Sequence, residues 1–492
     1  MIHKKRSRIY VVGAGFAGRS IASDIQSKGL LGEVVAFLDD DGEKIGRRIQ
    51  GIPVLGPIAD VVSLIERSPG DEALIAMPSA PRERLKEIYN LLEDVGFARI
   101  RILPSVSQIV EGDPHLIQTR EIDPEDLLGR TPITLNLKES LAYLRGKRVL
   151  VTGAGGSIGS ELSRQLLLGG AERLYLFGHG ENSIYEIEKE LRLLQEEGIG
   201  VGATIVPVIG ELQDPDFVNF ILARLRCDVV FHAAAYKHVP MMEANPVNAV
   251  ANNVFGTENL VQAAKAVGTK RFVLVSTDKA VDPISVYGAS KRIAEDIVLS
   301  QNGRSGSYMV VRFGNVLGSR GSILPLFRKQ ILKGGPVTVT TPEATRFFMT
   351  IPEASSLVLQ VGGVGTGGTL YLLDMGDPIS IRELAEQMIR FFGYNPESEI
   401  PIRYIGLREG EKLTEALCAA DEREVATPFT RIKRIEFPGE RLDRVAEILE
   451  SLRPICFRDP RYPAVYRNRK YLRSLLQSYV PTLPDKDDEP EY

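Results

Sequence analysis

The sequence predicts an α/β protein made of two doubly wound parallel-sheet domains, the second with a smaller C-terminal lobe. Three observations predict it. At 492 residues the chain exceeds what one ordinary core accommodates, so two or three domains are expected. Two segments then open with the same grammar of β-branched strand, glycine-rich turn and helix. They are Arg8-Ile9-Tyr10-Val11-Val12 before Gly13, Gly15 and Gly18, and Arg148-Val149-Leu150-Val151-Thr152 before Gly153, Gly155, Gly156 and Gly159. In such a sheet the first helix has N–H groups free to receive a pyrophosphate.

In chain order, the first Rossmann-like domain is expected over residues 1–120. Val34 to Leu38 reads as its second strand and Ala73 to Met77 as a later one. Asp39 closes the second strand about 20 residues after the glycines, where an acid can hold an adenosine ribose. Gly13, Gly15, Gly18 and Asp39 are therefore a candidate second nucleotide site, with assembly as the other role for this domain. Polar, proline-bearing sequence from Gly112 to Pro132 marks a linker, assigned to 121–145. The second domain is expected over 146–440, with Val229 to His232, Phe272 to Val275 and Met309 to Arg312 as strands. From Gly314 to Phe437 glycine and proline become frequent, which suits a lobe closing over a substrate. Residues 441–492 read as a helical extension with an acidic tail, disordered from Asp485.

Composition narrows the function. Hydrophobic residues at 43% and charged residues at 25% are the balance of a soluble globular protein. A net charge of −4 offers no footprint for nucleic acid. Cys227, Cys418 and Cys456 stand far apart without metal-ligand or disulfide spacing, which suits a reducing cytoplasm and indicates no metal. No apolar run reaches the roughly 20 residues that span a bilayer, and no signal-peptide core follows Met1. Lys4, Lys5, Arg6 and Arg8 allow at most peripheral membrane contact.

Thr152-Gly153-x-x-Gly156-x-x-Gly159, with Gly155, Ser157 and Ile158, sits between strand and helix as dinucleotide binding requires. The next strand ends in Gly178-His179-Gly180-Glu181 without a carboxylate at its tip, so NAD and NADP both stay open. Ala233, Ala234, Ala235 and Ser276 are further cofactor candidates at strand ends. Ser276-Thr277-Asp278-Lys279 follows an apolar strand, where this fold places catalytic groups. Tyr287 and Lys291 are four apart and share a helix face. The lysine is expected to favour the phenolate, which would take a proton from a sugar hydroxyl.

With these residues in place, the chain resembles an extended short-chain dehydrogenase/reductase. More narrowly, it resembles the polysaccharide-biosynthesis nucleotide-sugar 4,6-dehydratases that act on UDP-N-acetylglucosamine. The segments that carry the resemblance are TGAGGSIGSEL, FHAAAYKHVP, NNVFGT, STDKAV, VRFGNVLGS, TRFFMTIPEA and GLREGEKL, in that order between Gly146 and Leu417. The resemblance implies a tightly bound NAD or NADP regenerated at each turnover, a nucleotide-sugar substrate, and a homo-oligomer. It implies Tyr287 and Lys291 for C4 oxidation, Thr277 to orient the C4 oxygen, Asp278 as acid and Lys279 as base. A basic Lys279 is expected to have its pKa lowered by burial or by Lys291. Lys237, His238, Asn315, Arg346 and Glu411 with Lys412 are placed by the same resemblance on the substrate. Many long two-domain members carry methionine at the position of Tyr287 while short ones keep tyrosine, so retention and inversion at C5 both stay open. Long members usually carry transmembrane helices upstream, and this chain is expected to have none. Two other readings remain: a nucleotide-sugar 4-epimerase, and a nucleotide-sensing or scaffold protein without turnover.

Overall fold

The computed structural model describes residues 7–28, 32–65, 70–77, 80, 82–97, 99–102, 120–121, 141–301, 306–392, 394–486 and 488–490. Lys4, Lys5, Arg6 and most of the linker lie outside the described residues. The chain forms two compact units, Met1–Leu135 and Asn136–Tyr492. Among the described residues, no helix is long and apolar enough to cross a membrane.

The first unit is a seven-stranded sheet in the order β3-β4-β2-β1-β5-β6-β7. Its strands are β1 (Ser7–Val12), β2 (Gly32–Leu38), β3 (Arg48–Ile49), β4 (Ile52–Leu55), β5 (Glu72–Ile75), β6 (Arg99–Ile102) and β7 (Arg120–Glu121). The central strands pair in parallel because helices Phe16–Lys28 and Arg82–Val95 carry the chain back between them. Val11, Phe37 and Leu74 pack with Ile21 and Ile25 in the core. Arg8 donates to Tyr10 Oη at 2.7 Å and stands 3.9 Å from Asp71.

The second unit is built on a nine-stranded sheet. Strands β8 (Arg148–Thr152), β9 (Arg173–Gly178), β10 (Thr204–Ile209), β11 (Val229–His232), β12 (Arg271–Val275) and β13 (Ser307–Arg312) lie in the order β10-β9-β8-β11-β12-β13. The chain reverses direction of winding between β8 and β11, and a ligand crevice forms outside the carboxyl ends there. Beyond β13 the sheet continues with Thr369–Leu373, Ile432–Glu436 and Arg423–Ala426. Part of the segment from Gly314 to Phe437, which the sequence suits to a lobe, thus extends the sheet itself. The apolar run TLYLL buries four of its five residues beside β13, and two antiparallel strands follow it. The rest of the segment holds the helices Ile323–Ile331, Ile351–Val364 and Ile381–Phe391 and short two-stranded pieces, including Asn315–Val316 with Phe348–Met349 and Thr345–Arg346 with Ile379–Ser380.

The C-terminal extension belongs to the same core. Val445, Ile448, Leu452 and Ile455 of helix Val445–Cys456 and Leu472 and Leu476 of helix Arg469–Tyr479 share one apolar cluster with Val286 and Ile293. Helix Val286–Leu299 is consequently buried on nearly every side, with the sheet beneath and the extension above. The acidic tail departs from its expected disorder. Glu489 is 1% exposed and accepts from Arg469 and Arg473, each at 2.7 Å. Two arginines already committed to the core supply the binding energy that composition alone conceals.

Candidate functional site

The glycine loop after β8 is required by close approach. Gly153 has φ +67°, and a Cβ there would sit 2.8 Å from the Ala234 backbone. A Cβ on Gly159 would fall 2.1 Å from the Gly153 carbonyl oxygen, so only glycine lets helix Ser157–Leu168 start against the loop. Gly156 precedes that helix and no side chain caps it, which leaves first-turn N–H groups for an anionic ligand. Gly153, Gly155, Gly156, His179, Ala233, Ala234 and Ala235 line one cavity of about 260 Å³. Ser183, Glu211, Tyr236, Asn252 and Arg320 complete it, none of which the sequence reading singled out. Ser157, Ile158, Gly159, Glu181, Ser276, Tyr287 and Lys291 are not among its lining residues. Ser157 Oγ accepts from the Arg320 N–H at 3.1 Å, and Arg320 Nη1 donates to the Gly155 carbonyl at 3.0 Å. The cradle, the open helix start and the switch-point position fit a dinucleotide.

Beneath the cradle, Thr152 Oγ1 and Thr257 Oγ1 hold the ring of His232 at 2.7 and 2.9 Å. Burial, followed by the nearby Lys291 charge, pulls His232 down to about 3, so the ring is neutral and ties β8 to β11 where they diverge. Asn253, in a π-helical turn, accepts from the Tyr236 N–H and donates to Tyr236 O and Ser290 Oγ. It thereby fixes the loop 233–238 against the helix that carries Tyr287 and Lys291.

At the carboxyl end of β12 the chain turns through Ser276, Thr277 and the single turn Asp278–Ala280. Ser276 N–H and Asp278 N–H donate to Val311 O and Phe313 O, which holds the turn against the end of β13. Thr277 Oγ1 donates to Asp278 Oδ1 at 2.9 Å and also bonds Tyr287. Lys279 Nζ donates to Asp278 Oδ1 at 3.0 Å and to Asn315 Oδ1 at 3.2 Å, and stands 3.4 Å from Glu415 Oε1. Asp278 is fully buried, and neither its Oδ2 nor Glu415 Oε2 has a hydrogen-bond partner among the described residues. Thr277, Asp278, Lys279, Tyr287 and Asn315 are thus brought together as expected, with Glu415 as an addition.

The electrostatics differ from the expectation. Burial lowers the Lys279 pKa, but the carboxylates of Asp278 and Glu415 more than reverse this and hold it above the usual lysine value. In the free enzyme Lys279 is therefore an ammonium. Tyr287 is pushed up to about 12 by burial, against Lys279 and the Thr277 hydrogen bond, which pull it down. Lys291 is pulled down to about 8 by burial, with Glu295 opposing, and its Nζ donates to Val275 O at 2.9 Å. In this structure Lys279 is a cation that favours the phenolate.

A fully buried ionic cluster supports this site. Arg312 donates to Glu295 Oε2 at 2.8 Å and Glu422 Oε2 at 2.6 Å, all three side chains being 0% exposed. Glu295 also accepts from Ser276 Oγ at 2.6 Å. Glu243 Oε1 accepts from the Val286 N–H at 2.6 Å and caps the Tyr287 helix, while its Oε2 accepts from Arg473 at 2.7 Å. The sequence reading missed Arg312, Glu295, Glu422 and Glu243. Arg312, inside the segment VRFGNVLGS, was the one visible signal, a charge ending an apolar strand.

The other substrate candidates divide. Lys237 Nζ donates to Ser319 Oγ at 3.4 Å, and burial and Lys279 lower its pKa. His238 packs against Gly321, where a Cβ would lie 2.3 Å from the ring. Arg346 donates to the carbonyls of Thr345, Lys412 and Leu413, so it clamps the loop 412–413. Glu411 bonds within its own turn to the Arg408 N–H, and Glu415, four residues on, is the carboxylate that reaches the cluster. Lys412 Nζ donates to Val281 O at 2.8 Å. In the first unit Asp39 accepts from the N–H groups of Ala14 and Asp41 at 2.7 and 2.9 Å, so it staples its own glycine loop.

Residues 149–437 match the family described as polysaccharide biosynthesis protein, and residues 2–104 match the CoA-binding domain. The chain belongs to the polysaccharide biosynthesis protein family. It is 43% identical to EpsC of Bacillus subtilis over 436 residues, 88% of this chain and 72% of that protein. Two relatives with named activities differ from each other. One is the UDP-glucose 4-epimerase of Rickettsia bellii, 30% identical over 63% of this chain and 89% of that protein. The other is the inverting UDP-N-acetylglucosamine 4,6-dehydratase of Campylobacter jejuni, 29% identical over 58% of this chain and 81% of that protein. Among solved structures, Pen from Bacillus thuringiensis matches with TM-score 0.53 and 32% identity over 60% of this chain and 91% of that one.

Proposed function

We propose that the protein is a nucleotide-sugar 4,6-dehydratase acting on UDP-N-acetylglucosamine, with NAD or NADP retained through the cycle, in surface polysaccharide biosynthesis. The observation that carries the reading is the cluster of Thr277, buried Asp278 and half-buried Lys279 beside Tyr287 at the end of β12. A 4-epimerase needs a tyrosine and a dinucleotide but has no use for a second acid and base. The Rickettsia relative supports that second reading, and a scaffold without turnover would have no reason to keep two unpartnered carboxylate oxygens buried.

The glycine loop with Gly153, Gly155 and Gly156 and the strand-end alanines 233–235 would hold the dinucleotide, which would supply a hydride acceptor for C4 and a hydride donor for C6. Everything else is proton transfer by side chains. Tyr287 is protonated in the free enzyme, and Thr277 links it to Asp278, so its proton has a path through the Thr277 hydroxyl to the carboxylate. The phenolate then accepts the O4 proton, and Asp278 releases its proton to the departing C6 hydroxyl. Lys279, as an amine, takes the C5 proton made acidic by the C4 ketone and returns it to C5. One proton enters from O4 and one leaves with water, so the site ends as it began. The same reading places the enzyme in the cytoplasm as a homo-oligomer, its three cysteines unbridged.

The test is mass spectrometry of UDP-N-acetylglucosamine incubated with the protein, without metal or reductant. Loss of one water supports the reading. An unchanged mass with a new C4 epimer would replace it by the epimerase. Lys279→Ala is expected to retain dinucleotide and lose dehydration, and full activity in that variant would remove Lys279 from the base role.

A further inference from the structure

We propose that Glu415 is the proton acceptor for Lys279, a positioning residue that turns the lysine from an ammonium into the base of the elimination. The inference rests on the dehydratase reading and deepens it. Glu415 is 3% exposed, and its Oε1 stands 3.4 Å from Lys279 Nζ. Its other oxygen is buried and has no hydrogen-bond partner among the described residues. A proton arriving at that oxygen would displace no existing hydrogen bond among the described residues.

The chemistry requires such a group. Lys279 cannot take the C5 proton while it carries three of its own. Its other charged neighbour, Asp278, receives the Tyr287 proton and must keep it for the C6 hydroxyl. Glu415 is the remaining acceptor in reach. Lys279 is 22% exposed before substrate enters. Once the sugar fills the cleft and excludes water, an ion pair loses solvation that a neutral amine and carboxylic acid do not need. Lys237 and Lys412 add positive charge around Lys279, which also favours release of its proton, while Tyr287 is the other titratable neighbour. In the step an N–H bond breaks at Nζ, an O–H bond forms at Glu415, and the two opposite charges cancel. After Lys279 has returned the C5 proton, Glu415 gives its proton back.

The experiment uses Glu415→Gln with its bound dinucleotide, mixed with UDP-N-acetylglucosamine in single turnover. Nicotinamide absorbance reports C4 oxidation, and mass spectrometry reports water loss. Oxidation is expected to proceed while elimination falls by about 100-fold, the usual scale of a lost acid–base group. Without an internal acceptor, elimination in the variant should rise with pH, because Lys279 must then lose its proton to solvent. The unsubstituted enzyme should show no such rise over the same range. Glu415→Asp, which keeps a carboxylate, is expected to recover part of the elimination. Normal elimination in Glu415→Gln, an equal loss of oxidation and elimination, or no recovery in Glu415→Asp would each overturn the proposal. Failure of the unsubstituted protein to dehydrate any nucleotide sugar would instead overturn the dehydratase reading, and the two failures are read on different samples.

Discussion

Replacing Arg312 by methionine, of similar length and no charge, would leave Glu295 and Glu422 facing each other with no exposure to water. Burial by itself raises the Glu422 pKa, yet Arg312, with smaller help from the Ala419 N–H and Arg292, outweighs it and the group lies at about 2 in place of 4.5. At about 1.4 kcal/mol per pH unit, that distance corresponds to about 3 kcal/mol of stability. Breaking a buried pair by removing one partner costs a similar 3–5 kcal/mol, roughly. The sign follows from the depressed pKa. The contribution is present above about pH 4.5 and is lost as pH falls towards 2. Urea denaturation followed by a probe in the second unit is expected to show a deficit of about 3 kcal/mol at neutral pH. The deficit should shrink on acidification as Glu422, left with Arg292 and the Ala419 N–H, takes up a proton in the variant. Because Glu295 also holds Ser276 Oγ, the variant that does fold should lose turnover as well. A deficit below about 1 kcal/mol, or one independent of pH, would refute the claim that this cluster supports the site.

Two further substitutions examine other parts of the structure. Gly159→Ala places a methyl 2.1 Å from the Gly153 carbonyl, so the purified variant should carry about tenfold less dinucleotide or lower, with its fold retained by circular dichroism. Glu489→Ala removes the shared partner of Arg469 and Arg473, and thermal unfolding should show a loss of about 3 kcal/mol. An unchanged melting temperature there would restore the disordered tail expected from composition.

What the sequence determined is the part governed by local rules. Each opening strand, each glycine turn and the placement of Thr277, Asp278, Lys279, Tyr287 and Lys291 after β12 follow from short-range pattern: β-branched runs, a backbone that must approach a ligand, and a four-residue helical spacing. Val229–His232 is observed with the bounds that its apolar residues suggest. The tertiary structure decided which charges meet. Lys279 and Glu415 are distant in sequence but 3.4 Å apart, and that contact, together with Asp278, sets the lysine as an ammonium. Glu422 and Arg312, or Glu489 and Arg473, are equally invisible to periodicity, because an ion pair has no repeat to read. Arg346 and Glu411 have the residue types for substrate contact, and only folding shows that Arg346 also meets the carbonyls of Lys412 and Leu413 while Glu411 meets the Arg408 N–H. A side chain's chemistry is written in the sequence, whereas its protonation state depends on burial and on neighbours that only folding brings within a few ångströms.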